Sequence, residues 1–333
     1  MAGEMAEQPT RLRRLIARSE AIVERVRAAA PANLNGITIV ARGSSDHAAV
    51  YGRYLLEAAT GKPVSLAAPS LHTLYQVDVQ YSGQLVIAVS QSGVTPEIVL
   101  TLQALQDGGG RGLAITNDPQ SALAQTAREV VDLEMGEEQA VPATKTVTGE
   151  LTAFAIVAEA LGRAPFARGE LNAVPGWVQA VLDDPRPVAT AAEALACASH
   201  LIVVARGYLY AAALETALKI KETCSLLADG YSAADLRHGA IAAVARGLPV
   251  VAMSAPGPAR SDIAALVDEL CARRASVLVV GSDAADISLP REAPEPLSPI
   301  VAVVRGQQLA YTLALRLGHD PDSPAGLTKV TPT

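Results

Sequence analysis

The chain has 333 residues, of which 50% are hydrophobic, 3% aromatic and 18% charged. This length fits two domains of about 150 residues each. With so few aromatic residues, Ala, Val, Leu and Ile must fill the core, as is typical of helices packed on parallel strands. A net charge of −7 without a basic block excludes the electrostatic footprint of a nucleic-acid-binding protein.

The apolar runs of the chain are short, and its first residues are charged. Runs such as 85–89 and 201–205 fall well below the roughly 20 residues that a membrane span needs. A signal peptide would place an apolar run where the N-terminus carries charges. The three cysteines form no CxxC pair, and the five histidines show no ligand spacing. We therefore expect a cytoplasmic protein that binds neither membrane nor nucleic acid and carries no metal or organic cofactor.

In chain order, the first part of the sequence predicts one helix and then alternating strands and helices. The strands are short, apolar, β-branched runs that end in Gly, Ser or Asn, and the helices are amphipathic stretches. We predict an opening helix at 11–28, strands at 37–41, 63–67, 85–90, 113–116 and 130–134, and helices near 46–59, 95–107, 121–128 and 144–161.

The second part of the sequence shows the same alternation. We predict strands at 201–205, 249–253, 276–280 and 301–304, and helices near 209–227, 260–273 and 306–317. Between the two parts, 162–176 contains Pro and Gly and is the best candidate for a linker. The sequence after Gly318 has no periodicity and is expected to be irregular.

The two parts repeat one another at an offset of 164 residues. The sequence Val-Ala-Arg-Gly at 40–43 recurs at 204–207, and the strand end at 88–90 aligns with 252–254. Strands separated by helix-length segments form parallel sheets that are covered on both faces. The sequence therefore predicts an α/β protein with two tandem doubly wound parallel-sheet domains related by duplication.

We expect five segments along the chain. They are an N-terminal helix at 1–30, a first domain at 31–162, a linker at 163–185, a second domain at 186–318, and a C-terminal tail at 319–333 that contributes to the site.

Two loops of the first domain are rich in hydrogen-bond donors. They hold Ser44 and Ser45 after the first strand, and Ser90, Gln91, Ser92 and Thr95 after the third. Ligands of parallel sheets bind at the carboxyl ends of the strands, where helix N-termini and hydroxyl groups hold anions. The sequence has neither GxxxxGK[ST] nor GxGxxG, so a phosphomonoester fits better than a nucleotide.

The same residues are also common turn formers and helix caps, so their presence alone leaves both interpretations open. The second copy helps to decide between them. It keeps Ser254 but carries Ala-Pro-Gly at 255–257 where the first copy has Gln-Ser-Gly at 91–93. The fold therefore does not require these polar side chains, which favours a ligand-binding role in the first copy.

A second group of polar residues lies on one predicted helix. Glu215, Lys219 and Glu222 are spaced by four and three residues, which places them on one face. A carboxylate beside an ammonium group can stay ionised in a partly buried site and act as a general base. From the spacing alone, an exposed ion pair on a solvated face is the more common arrangement.

These motifs together resemble the sugar isomerase (SIS) domain family. The resemblance lies with the branch that has two SIS domains, such as the isomerase half of glutamine–fructose-6-phosphate aminotransferase and stand-alone glucosamine-6-phosphate deaminases. It rests on RGSS at 42–45, SQSGVT at 90–95, VPATK at 141–145, ETALKIKE at 215–222, LRHG at 236–239 and LTK at 327–329. It covers about 36–330 and implies a flavodoxin-like sheet in each domain.

The resemblance also implies a role for each residue. It assigns Ser44, Ser45, Ser90, Gln91, Ser92 and Thr95 to the sugar and its 6-phosphate, and Val141 to a backbone contact beside the sugar. Glu222 matches the base that moves a proton between C1 and C2. His238 matches the residue that opens and closes the sugar ring, and in the family it reaches in from the partner subunit of a homodimer.

Three further residues match positions that support the reaction. Lys329 corresponds to a tail lysine that meets the open-chain carbonyl, where a neutral amine can form a Schiff base. Lys219 and Glu215 correspond to positions that orient the site.

The chain departs from the family pattern in three places. Arg42 stands where the synthase has a small residue or Cys, which changes the local electrostatics. Ala143 replaces a Ser, so only a backbone contact is expected there. The chain starts Met-Ala-Gly, whereas the glutamine-hydrolysing domain begins with Cys after the initiator Met. Glutamine is therefore not the expected ammonia donor.

The expected function is that of a glucosamine-6-phosphate deaminase that yields fructose 6-phosphate and ammonia. One alternative is an isomerase or deglycase that acts on another 6-phosphosugar, such as a fructosamine 6-phosphate. An alternative of another class is a non-catalytic phosphosugar-binding regulator. Regulators with this domain usually carry a helix-turn-helix segment upstream, whereas one predicted helix precedes the first strand here.

Overall fold

The computed structural model describes residues 1–329. Within these residues the chain forms two five-stranded parallel sheets with helices around them, which confirms the predicted α/β fold. The first sheet has the strand order β2-β1-β3-β4-β5, and the second has the corresponding order β7-β6-β8-β9-β10.

The elements of the first sheet and its helices come first in the chain. They are α1 (Ala2–Ala17), α2 (Ser19–Ala29), β1 (Gly36–Val40), α3 (Ser44–Thr60), β2 (Val64–Leu66), α4 (Ser70–Thr73), β3 (Gln84–Val89), α5 (Pro96–Asp107), β4 (Arg111–Thr116), α6 (Ala122–Thr126), β5 (Glu129–Asp132) and α7 (Lys145–Leu161). The predicted strands of this part are all present. The single opening helix predicted at 11–28 is two helices instead, α1 and α2.

The elements of the second sheet and its helices follow. They are α8 (Arg168–Asp183), α9 (Arg186–Leu195), β6 (His200–Ala205), α10 (Tyr210–Cys224), β7 (Leu227–Ser232), α11 (Ala233–Arg237), β8 (Pro249–Met253), α12 (Arg260–Ala272), β9 (Ser276–Gly281), β10 (Ile287–Ser288) and α13 (Ser298–Leu317). The segment predicted as a linker contains α8.

The central strands are buried along most of their length. In β1 every residue is buried, and in β3 and β4 every residue except the first is buried. Such strands read as continuous apolar runs, because helices cover both faces of a parallel sheet. The predicted repeat is confirmed in the structure: β1, β3 and β4 shifted by 164 residues fall on β6, β8 and β9.

The strand predicted at 301–304 is wrong, because these residues lie inside α13. Val301, Ala302, Val303 and Val304 are all buried, so the usual alternation of buried and exposed residues on a helix is missing. The end of the helix predicted at 209–227 is also wrong. Helix α10 ends at Cys224, and β7 begins at Leu227.

The contacts within the chain divide it into two compact units. One, called the N-terminal unit below, comprises 10–138 and 145–167 and contains the first sheet. The other, called the C-terminal unit, comprises 1–9, 139–144 and 168–329 and contains the second sheet. The domain boundaries predicted from the sequence stay a prediction. No helix among residues 1–329 is long and apolar enough to cross a membrane.

Candidate functional site

The two loops rich in donors lie at the switch point of the first sheet. Strands β1 and β3 are neighbours, and the chain leaves them toward opposite edges of the sheet. A crevice for ligands forms at such a point in doubly wound sheets. Ser44 and Ser45 begin α3 after β1, and Ser90 to Thr95 connect β3 with α5. The structure thus brings both predicted loops to the same edge of the sheet.

The first loop turns at Gly43, whose φ of 60° is a left-handed conformation that glycine adopts without strain. A Cβ at this position would meet no atom within 4 Å, so the space beside it is open. Ser45 is buried, and its hydroxyl donates to Oε1 of Glu150 on α7 over 2.8 Å. The Ser45 oxygen can therefore accept a hydrogen bond from a ligand, but its proton is already engaged.

The second loop keeps its hydroxyl protons available. The Ser90 oxygen accepts a hydrogen bond from the N–H of Gly93 at 3.2 Å, and the Ser92 oxygen accepts one from Val94 at 3.4 Å. A hydroxyl that accepts in this way can still donate its own proton. Thr95 is the N-cap residue of α5, yet within the described chain its side chain makes no capping hydrogen bond.

Residues that the motifs did not mark hold this loop in shape. The carbonyl of Gln91 accepts hydrogen bonds from the Thr116 hydroxyl at 3.3 Å and the Asn117 N–H at 3.1 Å. Gly93 lies against Ser121, where an added Cβ would lie 2.1 Å from the hydroxyl oxygen. The sequence predicted a strand at 113–116, but no local signal indicated these contacts.

An ion pair joins the two loops. Arg42 Nε donates to Glu97 Oε2 over 2.8 Å. Arg42 precedes the turn at Gly43, and Glu97 lies in the first turn of α5. The sequence led us to expect different electrostatics at Arg42, and the structure shows that a carboxylate offsets its charge.

The predicted cluster on α10 is buried, so the expectation of an exposed ion pair is wrong. Glu215 and Lys219 are 1% and 0% exposed, whereas the Glu222 side chain keeps 21% of its surface. Lys219 Nζ lies 3.4 Å from Glu215 Oε1 and 2.5 Å from Glu222 Oε2. One buried ammonium group therefore contacts two carboxylates, and Glu222 is the one that reaches the surface.

Close packing surrounds α10 on more than one side. Gly306 of α13 lies against Thr216, where an added Cβ would lie 2.0 Å from the hydroxyl oxygen. On β7, a Cβ at Gly230 would lie 2.8 Å from the Cα of Leu214. Glycine at both positions lets α13 and β7 approach the backbone of α10 closely.

The C-terminal tail lies against the segment that contains Val141. The Val141 N–H donates to the Asp322 carbonyl at 2.9 Å, and Lys329 Nζ donates to the Ala140 carbonyl at 2.6 Å. Glu4 accepts the N–H of Ala140 at 3.1 Å. Burial alone would raise the pKa of Glu4, but hydrogen bonds from Ala140, the N-terminal ammonium group and Gln139 outweigh it and lower the pKa. The structure thus brings Lys329 close to Val141.

His238 is exposed at the C-terminal end of α11. Its backbone N–H donates hydrogen bonds to the carbonyls of Ala234 and Asp235 at the end of the helix. Among the described residues, no hydrogen bond or ion pair joins its ring to the cluster on α10. The last four residues, 330–333, belong to the predicted tail but lie outside the described chain. Within residues 1–329, no group of three or more His, Cys, Asp or Glu is placed to hold a metal ion.

The described fold has two doubly wound parallel sheets, with donor-rich loops at the first switch point. Comparison with known families identifies the class of protein to which this arrangement belongs. The SIS domain model matches residues 32–160 and 194–303, which together are most of the chain. The chain belongs to the SIS domain family of phosphosugar isomerases.

The most informative sequence relatives are aminotransferases of this family. The chain is 34% identical to the glutamine–fructose-6-phosphate aminotransferase (isomerizing) of Methanothermobacter thermautotrophicus, over 99% of this chain and 56% of that protein. It is 36% identical to the enzyme of the same name from Gloeobacter violaceus, over 90% of this chain and 52% of that protein. The chain thus spans about half the length of these relatives and matches their isomerase part.

Solved structures share the fold over almost the whole chain. A Silicibacter pomeroyi DSS-3 protein, provisionally described as a phosphosugar isomerase, has a TM-score of 0.87 at 30% identity, over 97% of this chain and 99% of that one. Glucosamine-6-phosphate deaminase from Thermotoga maritima has a TM-score of 0.83 at 22% identity, over 99% of both chains. The second likeness concerns the fold alone.

Proposed function

We propose that the chain is an isomerase that deaminates glucosamine 6-phosphate to fructose 6-phosphate and ammonia. The observation that carries the proposal is the buried cluster on α10, in which Lys219 contacts Glu215 and Glu222. Burying a carboxylate is costly unless it is paired, so such a cluster is expected where an ionised carboxylate is needed. Only Glu222 combines pairing with access to the surface.

The loops at the first switch point supply the groups that a sugar phosphate needs. The hydroxyls of Ser90, Ser92 and Thr95 are donors, and the N-termini of α3 and α5 add backbone N–H groups and positive dipole ends. In this assignment Ser44, Ser45 and Gln91 complete the loops. These uncharged hydrogen-bond donors bind the phosphate ester of the sugar, and the loops need no lysine for this.

Glu222 then performs the chemistry as a single base. Its carboxylate takes the proton from C2 of the open-chain aminosugar and returns it to C1, which produces an imine at C2. Water hydrolyses the imine and releases ammonia, so no oxidant or reductant is required. Lys219 keeps Glu222 ionised, and Glu215 balances the charge of Lys219.

The remaining predicted residues act before and after the proton transfer. His238, supplied by the partner subunit of a homodimer, opens the sugar ring, since an imidazole can both donate and accept a proton near neutral pH. Lys329 acts on the open-chain carbonyl, beside the backbone of Val141. The names of the sequence relatives support an aminosugar-phosphate reaction.

The experiment measures ammonia and fructose 6-phosphate after purified protein is given glucosamine 6-phosphate. The Glu222→Gln protein is expected to lose about 10²- to 10⁴-fold in turnover, because the amide cannot carry the proton. Lys221→Gln, at an exposed neighbouring position on α10, is the matched control and should keep full activity.

Each contrary outcome points to a different error. Turnover of another 6-phosphosugar without ammonia release would exclude the deaminase and leave the isomerase. Wild-type turnover by Glu222→Gln would remove the assignment of the base. Binding of phosphosugars without turnover of any of them would favour a regulator.

A further inference from the structure

The second sheet has its own switch point, and the two glycines that mark the first one recur there. Gly43 and Gly93 lie in the loops after β1 and β3, and a shift of 164 residues places Gly207 and Gly257 in the loops after β6 and β8. Helix α12 begins after the second of these loops, as α5 does in the first copy. The turn at Gly43, with a φ of 60°, is repeated at Gly207 with a φ of 62°, whereas Gly257 does not share the positive φ of Gly93.

In the second copy a side chain of the protein fills this place. A Cβ added at Gly257 would lie 1.8 Å from Oε2 of Glu295, and one added at Gly207 would lie 3.4 Å from Oε1. At Gly43, the equivalent of Gly207, the same construction meets no atom within 4 Å. At Gly93, the equivalent of Gly257, the added Cβ would lie 2.1 Å from the Ser121 hydroxyl oxygen. The carboxylate of Glu295 thus occupies space beside Gly207 that is open beside Gly43, and it takes the place at Gly257 that Ser121 has at Gly93.

The carboxylate lies beside the N-terminus of α12, which is a position where anions bind to proteins. Glu295 is 6% exposed, and the backbone of Ala259, the N-cap residue of α12, favours its charged form. The N-terminus of a helix of this length stabilises a negative charge. Within the described chain no Lys, Arg or His forms an ion pair with Glu295.

Burial raises the pKa of Glu295, and the backbone of Ala259 opposes this effect only in part.

The position of Glu295 in the chain shows how its side chain reaches the loops. Glu295 lies just before α13, and its carboxylate reaches the turns at Gly207 and Gly257, which follow β6 and β8.

We propose that the second switch point is an anion site whose ligand is the chain's own Glu295 carboxylate, which closes this copy to sugar phosphates. Each chain then has one external anion site of this kind, in the first copy. A small oxyanion such as formate would enter the second site only when the Glu295 side chain is shortened. The proposal concerns the second copy and does not depend on which sugar the first copy binds.

The first experiment follows thermal unfolding of the full chain in sodium formate and in sodium chloride of equal ionic strength. The midpoint of Glu295→Ala is expected to fall by about 4–8 °C, because the N-terminus of α12 loses its partner. Formate, but not chloride, should restore at least half of this loss. Glu292→Ala, an exposed carboxylate of the same segment, is the control and should respond like the wild type. An equal response of Glu295→Ala and wild type to formate would overturn the proposal.

The second experiment measures coupling between Glu295 and Gly257. Gly257→Ala should lower the unfolding midpoint strongly in the wild type, because the new methyl group meets the carboxylate. Beside Glu295→Ala the same change should cost less, because the overlaps with Oε2 at 1.8 Å and Cδ at 2.7 Å are gone and only the contact with the Cβ at 2.8 Å remains. Glu295→Asp, which keeps a shorter carboxylate, should relieve part of the loss. If Glu295→Ala does not fold, Glu295→Asp takes its place in the measurement of coupling. Equal losses in all backgrounds would show that Glu295 does not fill the loop.

Discussion

At the scale of single residues, burial and hydrogen-bond direction decide what each polar side chain of the candidate site can do. Spacing placed Glu215, Lys219 and Glu222 on one helix face, but it could not show that the ammonium group is shielded from water. In the loops, the direction of each hydrogen bond separates hydroxyls that still have a proton to donate from those that do not.

This distinction predicts opposite effects at Thr95 and Ser45. Thr95→Val should leave thermal stability unchanged, since the hydroxyl makes no capping bond, and weaken phosphosugar binding about 10- to 100-fold. Ser45→Ala should cost about 1–3 kcal/mol of folding free energy, because Glu150 loses a buried donor. Denaturant unfolding and a phosphosugar titration of both variants measure these effects. A reversed pattern would contradict the assigned directions.

Asp46, next to the same loop, predicts a dependence of stability on pH. Burial raises its pKa above the ordinary value, although His47 and Arg42 lower it in part. The folded state therefore keeps a proton that the unfolded chain has already released. Stability from this group is full below the unfolded pKa and is lost as pH rises through the higher folded pKa.

We expect Asp46→Asn to remove that decline, whereas Asp78→Asn, at an exposed position, should keep it. Urea unfolding from about pH 4 to pH 7 gives the measurement. A wild type whose stability relative to Asp46→Asn grows with pH would contradict the direction of the pKa shift.

At the scale of elements, the local sequence pattern correctly predicted the strands that are buried on both faces. Its predictions were wrong where tertiary packing determines whether a segment is a strand or a helix. β1 and β3 are apolar runs bounded by turn residues, and they form as predicted. The run at 301–304 has the same composition but belongs to a helix buried on nearly all sides. β7, with the sequence Leu-Ala-Asp-Gly-Tyr-Ser, carries no strand signal and forms because α10 packs on it.

The candidate site shows the same limit. The motifs gave the residues of the two loops and of α10, since each is a short contiguous sequence. The partners came only from the structure, because Ser45 and Glu150 are 105 residues apart in the chain and Arg42 and Glu97 are 55 apart. The carboxylate of Glu295 had no sequence signal either, because only the fold brings it to Gly257.

The contact between α13 and α10 predicts that Gly306 cannot accept a side chain. Gly306→Ala would bring a methyl group within 2.0 Å of the Thr216 hydroxyl. We expect a loss of about 1–3 kcal/mol in the free energy of unfolding. Gly176→Ala, in α8, has open space at the Cβ and should be neutral or gain up to about 1 kcal/mol. Urea unfolding compares the two, and equal effects would argue against close packing at Gly306.

At the scale of the whole molecule, the two copies of the repeated sheet differ at their switch points. Both copies keep the strand order and the two glycines, but the first has an open loop and the second holds a carboxylate of the chain in the corresponding place. The sheet topology is the same in both copies, and we attribute the proposed difference in access to the Glu295 side chain.

The proposed homodimer predicts that two inactive variants restore each other. Glu222→Gln and His238→Asn, mixed and allowed to exchange subunits, should regain about a quarter of wild-type activity, since half of the dimers are mixed and each has one complete site. Glu222→Gln mixed with Lys219→Met should regain none, because both residues belong to the same helix. Absence of recovery from folded dimers would place His238 in the site of its own chain or outside any site.

The ion pair between Arg42 and Glu97 also has a kinetic consequence. With the guanidinium charge offset at 2.8 Å, the loops present little long-range attraction, while the chain as a whole carries a net charge of −7. The proposed substrate, a dianionic sugar phosphate, would therefore approach against a weak repulsive potential, without electrostatic steering. Its diffusional capture accelerates modestly as added salt shortens the Debye length, in contrast to cationic pockets, which lose speed under the same conditions.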